Sequence, residues 1–253
     1  MTLAAVRFDA HDPAALGRFW GGLLDRDVAA EAHAVLLPAD GTQVGLRFLE
    51  ASSNKSGPNA LHLHLTSTDP SDQRRTVERA LDLGGHHLDV GQRPEEGHVV
   101  LADPEGNEFC VIEPGEGWLA GTGFLGEVTC VGSRNAGMFW RDALGWPLVW
   151  DRGEQTAVQS PLGGTKLSWD ALDLALHRGR RRQTFDLVAS GGGVAAGATV
   201  AAGGTPTPGG TLAADAERLV ALGASRLHAD DDVWTLADPD GTEFHLTRDA
   251  AVF

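Results

Sequence analysis

Apolar and polar residues change period along this chain in an order that recurs. Residues 4–10 (AAVRFDA) alternate, as a half-buried strand does, and Leu16, Phe19, Trp20, Leu23 and Leu24 then fall at helical spacing over Pro13–Leu24. Asp12-Pro13 supplies that helix with an N-cap and a first-turn proline. Ala34–Leu37 and Gln43–Leu49 read as strands around a Pro-Ala-Asp-Gly-Thr turn, which completes a βαβββ module. The same order follows at once: Leu61–Thr66 as strand, Ser71–Leu83 as helix stopped by Gly84-Gly85, and His98–Ala102 with Glu108–Ile112 as a hairpin.

Those two modules then recur as a pair. LADPEGNEFCV at Leu101–Val111 returns as LADPDGTEFHL at Leu236–Leu246, Phe19-Trp20 returns as Phe139-Trp140, and Leu83-Gly84-Gly85 returns as Leu222-Gly223-Ala224. The offsets are 120 at the Phe-Trp pair, 122 between LHLHLT (Leu61–Thr66) and QTFDLV (Gln183–Val188), 139 at Leu-Gly and 135 at the final hairpin. Copy two has therefore gained about nineteen residues between its Phe-Trp helix and its Leu-Gly-Ala helix, most of them after Val188. Ala189–Gly210, rich in Gly and Ala with interspersed Pro, fits as a flexible loop; an irregular extension without a role and a lid over a pocket are both open for it. Four modules in two copies predict an α+β fold, with domains at 1–115 and 122–253 joined near Pro114–Thr122.

Composition narrows the function classes. A net charge of −15 argues against nucleic acid, whose phosphates need a surplus of Lys and Arg, and the one basic run, Arg178–Arg182, reads as a solvated turn. No apolar run approaches a membrane span and no signal peptide stands at the start, so a soluble cytoplasmic protein without membrane partners is expected. Two cysteines, Cys110 and Cys130, form no disulfide framework. Neither a Ser-His-Asp order nor a phosphate-binding glycine loop is present.

The module order, the Phe-Trp helix before Leu-Gly-Trp, and the Asp-Pro-x-Gly-x-Glu-Phe hairpin resemble the glyoxalase/bleomycin-resistance/dioxygenase group, the vicinal oxygen chelate superfamily. Phrases such as WRDALGWPLVWD and SPLGGTKLSW are similar to two-domain glyoxalase-like proteins common in actinobacteria. The resemblance implies tandem glyoxalase-like domains in which four βαβββ modules form two cup-shaped paired sheets. In metal-using members, ligands stand on the first strand of each module and the last strand of the second, all facing into the cup. Carried over copy by copy, this offers Ala5, His62 and Cys110 from copy one, and Glu127, Thr184 and His245 from copy two. The family's additional Glu would fall near Arg47 and near Trp169-Asp170, with no clean match at either.

Each set thus has two ligands of three, and a catalytic divalent ion is normally held by three. His64 lies on the face of His62; a His-x-His pair can bind zinc, and hydrogen-bonded pocket or core histidines are the plainer reading. Cys110, between Phe109 and Val111, reads as a small buried side chain. Copy two is the better candidate for chemistry: Glu127 and His245 are expected to face each other across one cup, as metal ligands or, unmetallated, as an acid/base pair with burial lifting the carboxyl toward neutrality. Asp186 is discounted there, because a register change would turn it to the other face. Trp150, Trp169 and Trp234 lie in strand segments where they can wall a pocket, while Trp20 and Trp140 read as core.

The expectation is therefore a glyoxalase-like small-molecule-binding protein, of the drug- or metabolite-binding type, with its working pocket in the C-terminal copy. The alternative is a metal-dependent lyase, isomerase or dioxygenase that uses Glu127 and His245 with zinc, nickel, manganese or iron. Either reading allows a monomer or a homodimer, because four modules already supply the pairings that single-domain relatives make by dimerising.

Overall fold

A computed structural model describes residues 1–30, 34–52, 55, 57–93, 95–171, 182–190 and 211–248. Most of the Gly/Ala-rich insertion, residues 191–210, and most of the basic run, residues 178–181, lie outside the described residues. Module one comprises β1 (Thr2–Ala10), α1 (Pro13–Leu24), β2 (Ala29–Ala30), β3 (Ala34–Leu37) and β4 (Gly45–Glu50). Module two comprises β5 (Leu61–Leu65), α2 (Pro70–Asp82), β6 (His86–His87), β7 (Val99–Ala102) and β8 (Glu108–Val111). A 3-10 turn at Gly117–Leu119 leads into module three: β9 (Leu125–Val131), α3 (Arg134–Leu144), β10 (Leu148–Arg152), β11 (Gln155–Gln159) and β12 (Lys166–Asp170). Module four holds β13 (Gln183–Val188), α4 (Leu212–Ala221), β14 (Ser225–Ala229), β15 (Val233–Ala237) and β16 (Glu243–Thr247). The βαβββ order expected from the hydrophobic periods is present in all four.

The modules do not pair within each copy. One eight-stranded sheet runs β14-β15-β16-β13-β1-β4-β3-β2 and so joins module one to module four; the other runs β10-β11-β12-β9-β5-β8-β7-β6 and joins module three to module two. Two antiparallel seams make these sheets, β1 against β13 (Leu3 opposite Leu187, Phe8 opposite Gln183) and β5 against β9 (Leu61 opposite Cys130, His64 opposite Glu127). The expectation that each cup draws its residues from one copy is thereby corrected: each sheet takes one module from each copy.

Strand alternation sorts the faces. On β5, Leu61, Leu63 and Leu65 are buried while His62 and His64 are half-buried on the opposite face. The apolar faces of both sheets meet helices α1 and α3 in a common cluster. Trp140 on α3 marks the junction, stacking on Trp169 of one sheet at 6.3 Å and meeting Phe185 and Phe244 of the other at 4.9 and 5.0 Å. The Phe-Trp helices sit close because a glycine stands two residues before each pair. A Cβ on Gly17 would lie 2.4 Å from Val35 Cγ1, and one on Gly137 would lie 1.8 Å from Thr156 Oγ1.

The repeated Asp-Pro turns have a structural task. Trp20 Nε1 donates to Asp103 Oδ2 and Trp140 Nε1 donates to Asp238 Oδ2, each at 3.1 Å. Burial pushes both carboxyls up, against the turn and indole donors that hold them. Each copy is therefore tied across the two sheets: the helix of its first module is bonded to the last hairpin of its second.

Candidate functional site

The faces turned away from the common core form the two cups, and their polar residues line up in rows across the strands. In the sheet of modules two and three, Lys166 on β12 is paired with Glu127 on β9, Glu127 with His64 on β5, and His64 with Cys110 on β8. All four fall on the face opposite Leu63, Val128 and Leu167 of the core. His64 Nδ1 lies 2.9 Å from Glu127 Oε2, and Trp118 Nε1 donates to Glu127 Oε1 at 2.9 Å. Lys166 Nζ donates to the Trp118 carbonyl and sits 4.0 Å over the Trp118 ring.

Electrostatics follow from this packing. Burial works to raise Glu127, but donors on His64, Ser168 and Trp118 prevail and hold its carboxyl below the ordinary range. Burial alone would lower His64; hydrogen bonds and charge from Cys110 and Glu127 prevail and raise it to about 10. The Lys166 ammonium is lowered by burial, with Glu127 acting in the other direction. At neutral pH the row therefore carries an imidazolium against a carboxylate, so the expected lifting of Glu127 toward neutrality is corrected.

A cavity of about 700 Å³ opens on this row. Glu127, Thr129, Lys166 and Ser168 line its base, and Trp118 and Trp150 line its wall. The two indoles meet edge to face at 5.3 Å, with the Arg152 guanidinium 4.5 Å from the Trp150 ring. Trp169 also lines the cavity, although its ring is 2% exposed and stacked into the core. Trp234, opposite Leu246 on β15, lies on the helix-side face among residues packed against the core, so it walls neither cup.

The other cup carries a different set. Its matching row runs Gly45, Ala5, Asp186, His245 across β4, β1, β13 and β16. Asp186 lies two residues from Thr184 and therefore on the same face, so its exclusion on grounds of register is corrected. Fully buried, Asp186 accepts from Arg47 Nη1 at 3.0 Å, and Arg7 Nη1 and His245 Nδ1 lie at 3.8 and 3.4 Å. Thr184 Oγ1 is 3.5 Å from His245 Nδ1.

Glu127 and His245 consequently do not meet. They stand on different sheets, each on the face away from the core that separates them, and cannot share one ion or one proton. The pocket draws on the first module of the C-terminal copy and on the turn between the copies, and His64 of copy one reaches it through its bond to Glu127; Thr184, His245 and Trp234 belong to the other sheet. Trp118, Lys166 and Ser168 were not anticipated. Lys166 and Ser168 alternate with Leu167 and Trp169 in KLSWD, a period-two signal that places both on the cup face. Trp118 lies in the turn between copies, where no periodicity announces it.

Both cups place basic side chains beside their carboxylates. In the first, His64 Nδ1 is engaged by Glu127 Oε2 at 2.9 Å, and Lys166 stands beside Glu127 in the row. In the second, one carboxylate faces two guanidiniums. Among the described residues, no group of three His, Cys, Asp or Glu side chains is arranged to hold a metal ion, and no helix is long and apolar enough to cross a membrane.

Comparison with known proteins agrees with this architecture. The structure is similar to glyoxalase I from Zea mays, with a TM-score of 0.63 at 12% identity over 97% of this chain and 92% of that one. It is also similar to a putative dioxygenase from Bacillus subtilis, with a TM-score of 0.56 at 11% identity over 98% of this chain and 84% of that one. At such identities the likeness speaks for the fold alone. No curated protein matches the sequence. A family model described as a glyoxalase-like domain matches twice, over residues 5–112 and 127–247, one match to each copy of the repeat, and the chain belongs to that glyoxalase-like family.

Proposed function

We propose that this protein binds a small, flat, largely apolar molecule in the cup of modules two and three, without a metal ion. The observation that carries this reading is the cavity of about 700 Å³ between Trp118 and Trp150, with Glu127, Lys166 and Ser168 in its lining. Its volume falls in the range of about 300–1,000 Å³ that accommodates drug-sized ligands. Indole walls supply apolar area, and the few polar groups at the base orient whatever enters. Glu127 and Ser168 serve as acceptor and hydroxyl, Lys166 as donor to an anionic or carbonyl group. Solubility without membrane or nucleic-acid partners accords with the net charge of −15. We take the domain limits 1–115 and 122–253 as sequence units, each of which contributes half of each cup.

A titration with 8-anilinonaphthalene-1-sulfonate, followed by tryptophan quenching in the presence of chelator, tests the proposal. Saturable binding of one equivalent is expected, weakened at least about tenfold, or about 1.4 kcal/mol, in Trp150→Ala. Absence of saturable binding, or equal affinity in Trp150→Ala and wild type, contradicts it.

A further inference from the structure

In the cup of modules one and four, Asp186 holds one guanidinium by a hydrogen bond and leaves a second without one. Arg7 alternates on β1 with Val6 and Phe8 of the core and so projects from the cup face. Its side chain is 17% exposed, and its Nη1 lies 3.8 Å from Asp186 Oδ1, beyond hydrogen-bond reach. Among the described residues, no acceptor takes any of its N–H groups. Arg47 and Arg182, at 1% and 9% exposure, are placed differently. Arg47 Nη1 donates to Asp186 Oδ2 at 3.0 Å, and Arg182 Nη2 donates to the Asp9 carbonyl at 2.7 Å and to Glu105 Oε2 at 2.9 Å. A guanidinium drawn largely out of water with its donors unused is unfavourable unless an acceptor reaches it. Balancing Asp186 does not account for Arg7, because Arg47 already does so at bonding distance.

The neighbours of Arg7 indicate what that acceptor is. Thr184, its strand partner on β13, adds a hydroxyl on the same face. On the other side the row passes through Arg47 on β4 to Leu36 on β3. Leu36 and Leu49 face the cup as well, since Val35, Leu37 and Phe48 beside them belong to the core. We propose that this cup binds a small carboxylic acid, as its anion, through Arg7. The planar fork of a guanidinium matches both oxygens of a carboxylate. Thr184 stands beside it to donate to one of them, and the apolar body of the acid lies toward Leu36 and Leu49. A single negative charge suits the place better than the two of a phosphate, because the Asp186 and Asp9 carboxylates share the face. The site lies on the other sheet from the tryptophan-lined cavity and does not depend on it.

Benzoate and butyrate, each compared with its uncharged amide, are the probes, titrated calorimetrically into the full chain. We expect saturable binding of the better-fitting acid. Its affinity should fall at least about tenfold in Arg7→Gln and by less in Arg7→Lys, which keeps the charge and loses the fork. The matching amide and inorganic phosphate should each bind at least about tenfold more weakly than the acid. Thermal midpoints check folding; if Arg7→Gln does not fold, Arg7→Lys and the preference of wild type for acid over amide and phosphate decide. A merely structural Arg7 predicts lower stability in Arg7→Gln with no change in affinity for the acid, and that result overturns the proposal. So does the absence of saturable binding by both acids, or phosphate binding as tight as theirs. An affinity that falls in Trp150→Ala and not in Arg7→Gln assigns the carboxylate to the other cup and also overturns it. Binding lost in Arg7→Gln, in a protein that does not bind 8-anilinonaphthalene-1-sulfonate, leaves this site standing and removes the reading above.

Discussion

At the scale of single residues, two charged groups decide the character of the two cups. Asp186 is fully buried against Arg47, itself 1% exposed, and removing one partner of such a pair strands the other charge. Asp186→Ala should therefore destabilise the protein by about 3–5 kcal/mol, read as a shift in urea unfolding; a change under about 1 kcal/mol would mean that Arg47 finds a new partner. In the other cup, His64 is raised from 6.5 to about 10. A raised histidine contributes stability that is complete below its unfolded value and is lost as pH rises through the folded one. Wild type should accordingly lose more stability between about pH 6.5 and 10 than His64→Gln does, whereas parallel profiles would contradict the imidazolium assignment. Glu127, held low, adds the opposite limb: its contribution is present above its ordinary value of 4.5 and is lost as pH falls.

At the scale of elements, the repeated Gly-x-Phe-Trp helix is the part of the fold most legible in the sequence. Period 3.6 in α1, period two in LHLHL and the Asp-Pro-x-Gly turns each reflect a local constraint, so they can be read without knowing what packs where. The tie between Trp140 and Asp238 explains why both repeat, and the close approach of Gly137 to Thr156 explains the glycine before them. Gly137→Ala sets a helix-propensity gain of about 1 kcal/mol against an overpacking cost of about 1–3 kcal/mol. With Thr156 Oγ1 only 1.8 Å from the added carbon, the cost should prevail. A lower thermal midpoint for Gly137→Ala is expected, and a raised one would show that β11 yields. What could not be read was the pairing of modules. β1 can pair with β5 or with β13 as far as alternation is concerned, since both offer an apolar face and an edge. Assigning the pair within one copy placed Glu127 beside His245 and hid its true neighbour, His64. Trp118 was out of reach for a related reason: a turn residue acquires its partner only when the chain around it has folded.

At the scale of the whole molecule, each sheet depends on both copies, and a tryptophan–aspartate tie binds each copy across the two sheets. Neither half then has a complete cup of its own. Residues 1–115 alone would expose the β1 and β5 edges that β13 and β9 cover. We expect that fragment to self-associate or stay unfolded, and to give a soluble one-to-one complex when produced with 122–253; a folded monomeric fragment on size-exclusion chromatography would contradict the interlocked arrangement. The same cross-pairing gave the two cups different fates. One carries an arginine–aspartate cluster, and the other a row in which a proton on His64 and the ammonium of Lys166 stand beside Glu127. That row is the basis for reading the protein as a metal-independent binder. Metal analysis of untagged protein prepared without chelator, alongside Glu127→Ala and His64→Ala, tests this most directly. The account predicts well under about 0.1 divalent ion per chain in all three proteins, before and after incubation with zinc, nickel, manganese or iron(II) followed by desalting. About one ion per wild-type chain, lost in both variants, would contradict it.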